Sequence, residues 1–505
     1  MQQQGGLREV ITLLQQAIQA YRTQHPEADY PLVHHKEETL LLRFQALFYA
    51  PLFGIGQLTE FDVKEHPLLT LQGRSYHSST LTQFLGQLER IDAAEALLPP
   101  LLPPHAGMLS YVDGHMLAYW SRVPMHKGKI TMLGRIMAGS QAVIAHDAAG
   151  QALFVAYYPP DVHVSQVIVA YCAKVAEATG TALFVIDRAV QAVAMARAFD
   201  DQDLGLLCML DDNEHEGLAS FAATPVGALA DGTKGYSGPW QVPRPDDPRH
   251  FVIVEPAEGK TWVYWGTPKV KEALAVAEWP RVYRERTELQ ENSFKHMIDH
   301  GALNTNYGRN KILGPDRHQQ RAREKLDQAV QAVQQRVDKQ ARQVKTQQDK
   351  VAESARKGHH KRLAQRQRTL AGLENELKAT QHNHTALAAP AAALGPPRER
   401  ADRDFRKQTL MTFRTLLLEN ALTAFMALLL PGLKTKVSLA CLLRLLFERS
   451  GSRVETGSQI IYWVNTAGLS VASQRLLTEV AEGLCAMDLQ CQGKPIRVRL
   501  KEMPP

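Results

Sequence analysis

Cysteine is scarce in this chain. Cys172, Cys208, Cys441, Cys485 and Cys491 are scattered among 505 residues without a C-x-x-C pair, which argues against a zinc site or a disulfide framework and suits a reducing cytoplasm. A long uninterrupted apolar run is missing as well. The most apolar stretch, Leu416 to Phe447, is broken by Glu419, Asn420, Pro431, Gly432, Lys434, Lys436 and Arg444, so it reads as a pair of core helices rather than a membrane span. Met1-Gln2-Gln3-Gln4-Gly5 lacks the basic-then-apolar order of a signal peptide. The expectation is a cytoplasmic protein with no membrane partner.

With 45% hydrophobic and 22% charged residues the chain has the composition of a globular protein. Its length allows roughly two to four domains, each with a core of its own. The net charge of +6 is unevenly spread. Between Asp316 and Lys378 there are 16 Lys and Arg against 8 Asp and Glu, a surplus larger than that of the whole molecule.

Residues 1–104 read as a helical region, with apolar periodicity in Leu7 to Tyr21, Leu40 to Phe48 and Leu81 to Ile91, closed by the Pro-rich linker Leu97 to Pro104. From Met108 the pattern turns to strands: Met108 to Asp113, Thr131 to Ile144 and Leu153 to Tyr158. Helix Ser165 to Thr179, strand Ala182 to Asp187, helix Ala189 to Phe199 and strand Gly205 to Leu210 follow. An insertion of about 211–280 holds short strand candidates, Phe251 to Glu255 and Thr261 to Trp265, and the domain is expected to span 105–315.

In 316–384, Val330, Val337, Val344 and Val351 keep one heptad phase and Leu363, Leu370 and Leu377 another, interrupted at Gly358-His359-His360. That predicts an antiparallel helical hairpin of coiled-coil character. Residues 385–407 read as a linker and 408–505 as a C-terminal helical region. The charge surplus points to contact with DNA or a partner subunit, since Lys and Arg on a helical face neutralise phosphates; Arg336, Lys339, Arg342 and Lys345 are the named candidates. A solvated coiled coil is the plainer alternative.

Three acids stand out. Asp113 closes the strand-like run Met108-Leu109-Ser110-Tyr111-Val112, Asp187 closes Ala182-Leu183-Phe184-Val185-Ile186, and Glu291 opens the helical pattern Glu291-Asn292-Ser293-Phe294-Lys295. The gaps are 187 − 113 = 74 and 291 − 187 = 104 residues, the longer one accommodating the insertion. Two strand-end aspartates and a helix-borne glutamate suit a two-metal phosphoryl-transfer site, because carboxylates are the hard oxygen ligands Mg²⁺ prefers. Asp211, Asp212 and Glu214 read instead as a polar strand exit. His115, two residues past Asp113, shares its side of the strand and is a candidate for a hydrogen bond or DNA contact, packing being the ordinary alternative.

The ordered set resembles the DDE transposases of bacterial insertion sequences. The phrases Tyr111-Val112-Asp113-Gly114-His115, Ile186-Asp187-Arg188 and Gln290-Glu291-Asn292-x-Phe294-Lys295 carry the resemblance, with Gly73 to Leu81 upstream in support. It implies an α/β fold: a ribonuclease H-like mixed-sheet catalytic core with a β-rich insertion, an N-terminal helical domain that binds DNA ends, and the C-terminal helical parts. It further implies metal-dependent cleavage at element ends and strand transfer into target DNA. Asp113, Asp187 and Glu291 would be both catalytic residues and ligands of two Mg²⁺ ions, with Mn²⁺ able to substitute. The implied partners are double-stranded DNA and a second copy of the chain in a synaptic complex. Some related transposases carry Tyr-x2-Arg-x3-Glu-x6-Lys, whereas this chain has Tyr283-x2-Arg286-x4-Glu291-x3-Lys295, so phosphate contacts by Arg286 and Lys295 stay open. Trp262 or Trp265 is a candidate to stack on a displaced base, against simple packing in the β insertion. Two rivals remain: a non-catalytic DNA-binding protein derived from a transposase, and a ribonuclease H-like nuclease or resolvase.

Overall fold

Tyr111-Val112 and Leu183 to Ile186 are the apolar middles of two strands that lie side by side at the centre of a large mixed sheet. The structure is a computed structural model, and it describes residues 6–64, 66, 74–98, 107–190, 192–211, 224–229, 234–239, 249–255, 261–308, 310–357, 360–434, 437–447, 449–491 and 493–502. The chain divides into two units, one of residues 1–119, 128–310 and 403–505 and the other of 120–127 and 311–402.

In the first unit the sheet contains β1 (Leu109–Ala118), β2 (Lys127–Ile130), β3 (Arg135–Asp147), β4 (Ala152–Tyr158), β5 (Leu183–Ile186), β6 (Gly205–Met209), β7 (Thr224–Ala228), β8 (Lys234–Pro239), β9 (His250–Glu255) and β10 (Trp262–Gly266). Its order is β2-β3-β1-β5-β6-β10-β9-β8-β7, with β4 also on β3. β1 runs antiparallel to β3 and parallel to β5, which is parallel to β6. The inserted strands do not stand apart as a subdomain. β10 pairs antiparallel with β6 and extends the sheet, because β6 is buried along its whole length and would otherwise leave an apolar edge strand without hydrogen-bond partners. Trp265 is fully buried within β10, which fits the ordinary reading of packing and leaves its ring no face for the candidate base stacking.

Helices α1 (Gly6–Gln24), α2 (Glu37–Tyr49), α3 (Ser78–Arg90) and α4 (Ala93–Leu97) form the N-terminal block. α3 buries Leu81, Phe84, Leu85, Gln87, Leu88 and Glu89, and Arg90 lies over the Tyr30 ring. Its opposite face, with Ser79, Thr82, Gln83 and Arg90, is exposed. Pro99 to Pro104 and Gly73 lie outside the described residues. Two helices, α5 (Ile168–Thr179) and α6 (Val193–Asp200), connect the parallel strands; α7 (Pro268–Ala273) and α8 (Trp279–Gly301) follow the insertion.

α11 (Arg406–Leu429) is long and apolar enough to cross a membrane, with a mean hydropathy of 1.5 in its most apolar window. It is instead threaded through the core. It packs against β4, α8 and the N-terminal helices, and its buried residues include Arg414 and Glu419. Arg414 Nη2 donates to the Tyr307 hydroxyl at 3.0 Å, and Glu419 pairs with His296 at 3.2 Å. Glu419 and Arg414 Nη2 thus have protein partners, while Arg414 Nη1 is buried without one. α1 to α4, the sheet and α11 therefore share one apolar cluster.

The C-terminal part departs from the helical expectation. α12 (Leu439–Phe447) and α13 (Val471–Ala486) accompany a four-stranded sheet of β13 (Gly451–Glu455), β14 (Ile460–Asn465), β15 (Gln490–Cys491) and β16 (Lys494–Lys501), ordered β13-β14-β16-β15. The period-two alternation of Ile496-Arg497-Val498-Arg499-Leu500 is the local cause.

The second unit consists of a short β11 (Lys311–Pro315) paired with β12 (Glu399–Arg403), and two long helices, α9 (Arg317–Arg356) and α10 (His360–Ala393). Asp316 caps α9 by accepting from His318 N at 3.0 Å and Gln319 N at 3.3 Å. Val333 and Val344 are buried in the seam of the hairpin. α10 runs through Pro390 to Ala393, well into the expected linker. The Ala-rich sequence favours helix strongly enough to outweigh one proline.

Candidate active site

Register brings the two aspartates level. Val112 pairs with Ile186 across the parallel β1/β5 pair, so Asp113 and Asp187, each one residue on, lie level. Asp187 follows the end of β5, whereas β1 continues past Asp113, which pairs with Ile144 of β3, to Ala118, so Asp113 does not end its strand as the sequence suggests. Side chains alternate along a strand, which puts Tyr111, Asp113 and His115 on one face of β1 and Leu183, Val185 and Asp187 on the matching face of β5. α8 covers that face. Tyr283, Gln290, Ser293 and Met297 are buried along its inner stripe, and Arg286 falls on the same stripe at helical spacing.

Arg286 binds the pair together. Its Nη1 lies 3.5 Å from Asp113 Oδ2 and its Nη2 3.6 Å from Asp187 Oδ1. The guanidinium packs over the Tyr283 ring at 5.4 Å and donates to Gln290 Oε1 at 3.3 Å. Asp113 Oδ1 accepts from Gly114 N at 2.7 Å, and Asp187 Oδ1 accepts from the Tyr283 hydroxyl at 3.3 Å. Burial pushes the Asp113 carboxyl above the usual range, opposed by Arg286 and the Gly114 amide and reinforced by the negative charges of Asp187 and Glu291. A carboxylate held under that tension of like charges attracts cations.

Glu291 belongs to the same electrostatic neighbourhood but not to the inner stripe. It is one residue, about 100° of helix rotation, beyond Gln290 and is exposed. Among the described residues, Asp113, Asp187 and Glu291 do not form a set with oxygens all within 4.8 Å of one another. Arg286 fills the space between the aspartates instead. The extra residue between Arg286 and Glu291, visible as the departure from the related motif, is what puts Gln290 inward and Glu291 on the flank.

A buried polar patch lies alongside. His115 stacks on Phe294 with ring centroids 5.9 Å apart, and His146, opposite Tyr111 on β3, shares a 2.9 Å hydrogen bond between its Nε2 and Ser293 Oγ. Burial lowers both imidazoles to about 4, so both are neutral. Arg286 Nε, Gln290 Nε2, His115 Nε2 and His146 Nδ1 are buried without a hydrogen-bond partner. Sequence reasoning misses His146 and Gln290 as site neighbours. The register of β3 against β1 is needed to find the first, and the helix phase to find the second.

Lys295 is exposed on α8. Arg336, Lys339, Arg342 and Lys345 are exposed on α9 in the other unit. Asp211 pairs with Arg188 at 3.4 Å, as befits a polar strand exit; Asp212 and Glu214 lie outside the described residues. Cys208, buried beneath Asp187 with its thiol pushed well up by burial, is chemically quiet.

No protein-family model matches the chain, and no curated protein sequence matches it. Among solved structures the chain is similar to piggyBac transposase, seen by cryo-EM in a synaptic complex with hairpin DNA, with a TM-score of 0.36 and 10% identity over 53% of this chain. The match spans 60% of that transposase chain. A likeness at this level carries nothing about activity, which has to come from the chain's own residues.

Proposed function

We propose that this chain cuts and rejoins DNA as a transposase of the DDE type, with Asp113, Asp187 and Glu291 as its catalytic carboxylates. The observation that carries the proposal is the clamp of one guanidinium on two aspartates that lie level at adjacent parallel strands, with Glu291 close enough to raise the Asp113 carboxyl further. The sequence of antiparallel β4-β3-β1 followed by parallel β5 and β6 supports a ribonuclease H-like core.

Carboxylates are the hard oxygen donors that suit Mg²⁺ or Mn²⁺, and Asp113 and Asp187 already hold one positive charge between them, the guanidinium of Arg286, which a metal would have to displace. Mg²⁺ held by Asp113, Asp187 and Glu291 would supply the Lewis acidity that makes a phosphodiester reactive toward water or a 3′ hydroxyl. Arg286 balances the aspartates and is placed to exchange them for a phosphate oxygen. Tyr283 orients Asp187 through its hydroxyl, the Gly114 amide orients Asp113, and the apolar contact of Phe294 with His115 excludes water from behind the site. The partner is double-stranded DNA, met by the exposed bases of α9, with a second copy of the chain completing a synaptic complex.

Asp113→Asn, Asp187→Asn and Glu291→Gln each remove ligand charge at nearly constant volume. Each should abolish Mg²⁺-dependent cleavage of supercoiled plasmid while DNA binding in EDTA stays within about twofold. Retained cleavage in two of the three variants overturns the assignment.

A further inference from the structure

The chain between Asp113 and Asp147 contains no acidic residue, yet it carries Arg122, Lys127, Lys129 and Arg135. Within it, β2 and β3 form a two-stranded arm. Its tip is a single 3₁₀ turn, Thr131–Leu133, closed by Gly134 in the left-handed conformation at φ +60°. Met132, Leu133 and Ile136 are 72%, 47% and 74% exposed at that tip, and Lys129 and Arg135 beside them are exposed too. Three large apolar side chains within five positions, flanked by cations, have no role in holding this unit's core.

The root of the arm is fixed. A Cβ on Gly139 would meet Leu117 O at 2.5 Å and Ile130 Cδ1 at 2.7 Å, and one on Gly128 would overlap the Pro160 carbonyl, so both glycines are needed for close backbone approach. The arm therefore projects as a built element. Its direction follows from the register: Asp113 pairs with Ile144, and Ile136 is 144 − 136 = 8 residues further along β3. At about 3.4 Å per residue the tip reaches roughly 27 Å past Asp113, on the side where β5 delivers Asp187.

We propose that this arm is a DNA wedge: Met132, Leu133 and Ile136 enter between base steps while Lys129 and Arg135 hold the neighbouring phosphates. The wedge rests on the DNA reading of the acidic site. A two-stranded ribbon is slim enough for a groove of B-DNA, and apolar side chains of this kind unstack a base step at modest cost when they enter it. The absence of acids across the whole segment favours a polyanion over a second copy of this chain. Unstacking near the cut bond would free the strand end for transfer, with the opened step no more than about eight base-pair rises from the acids.

The test uses the full chain in EDTA with a 30-base-pair duplex of fixed sequence, fully matched or with a central two-base mismatch carrying 2-aminopurine. A wedge prefers DNA that is already unstacked. The wild-type chain should bind the mismatched duplex about tenfold more tightly and raise the 2-aminopurine fluorescence. Met132→Ser/Leu133→Ser/Ile136→Ser should lose both effects with matched-duplex affinity unchanged within about twofold, whereas Lys129→Gln/Arg135→Gln should weaken both duplexes alike. Wild type binding neither duplex sinks the DNA reading itself. Wild type binding both equally, or a triple variant that keeps the preference and the fluorescence rise, overturns the wedge alone; so does a triple variant that keeps the preference but no longer dimerises by sedimentation, since a second copy then covers the tip.

Discussion

His146 should make this protein acid-sensitive by a predictable amount. Its imidazole is fully buried, edge-on to Phe294 and bonded through Nε2 to Ser293, and burial lowers its pKa from 6.5 to about 4. A depressed folded value means that the unfolded chain takes up the proton first, so the stability this residue contributes is intact above pH 6.5 and is lost as pH falls toward 4. Linkage with these two values gives a loss of about 2 kcal/mol between pH 7 and pH 5, approaching about 3 kcal/mol in stronger acid. His146→Gln keeps a partner for Ser293 and removes the titration. Urea unfolding followed by tryptophan fluorescence at pH 7 and pH 5 in both proteins isolates the effect, because the remaining histidines cancel in the difference. If wild type and variant lose the same stability over that interval, the imidazole is not held neutral and the packing argument around it is wrong.

Other outcomes follow from the clamp and the hairpin. Arg286→Gln removes the internal counter-charge of Asp113 and Asp187, so Mg²⁺ should raise the thermal midpoint of this variant more than that of wild type; an equal or smaller rise in a Mg²⁺ titration refutes the competition. Changing Arg336, Lys339, Arg342 and Lys345 to Gln should weaken binding to all duplexes alike and flatten the slope of log K against log salt by roughly 0.9 for each phosphate no longer neutralised. An unchanged slope makes the hairpin a structural element whose charges face solvent.

The central strands are legible in the sequence because their apolar runs are short and bounded by polar or turn residues. Expected strands Leu153 to Tyr158, Ala182 to Asp187 and Gly205 to Leu210 correspond closely to β4, β5 and β6, whereas β1 runs five residues beyond the expected end at Asp113, to Ala118. What stays hidden depends on partners distant in sequence. β10 is readable as a strand, but only the burial of β6 decides that it joins the main sheet rather than a separate insert. The strands after Gly451 alternate over so few residues, and with so many cations facing outward, that the apolar helices around them mask the pattern. At the site, residue types reveal the aspartates, whereas the helix phase that turns Gln290 inward and Glu291 outward needs the docked position of α8. Arg286 can be placed near phosphate by motif, yet its grip on both aspartates is a tertiary fact.

The second unit interrupts the first in an instructive place. The chain leaves at Asn310 and re-enters at Arg403, and the amide of Asp404 donates to Asn310 O at 3.0 Å, so the excursion closes on itself like an inserted cassette. α11, which completes the cluster containing Phe44, Phe84 and Phe154, is therefore synthesised after the whole hairpin. From Asn310 to Leu429 is 429 − 310 = 119 residues. At roughly 5–20 residues per second a ribosome needs about 6–24 s to make them. Throughout that interval the nascent N-terminal helices and strands hold an open apolar trough with nothing to fill it. A chain released before residue 406 keeps that trough permanently, and the cell would meet it as a substrate for chaperones and proteases rather than as a smaller working protein.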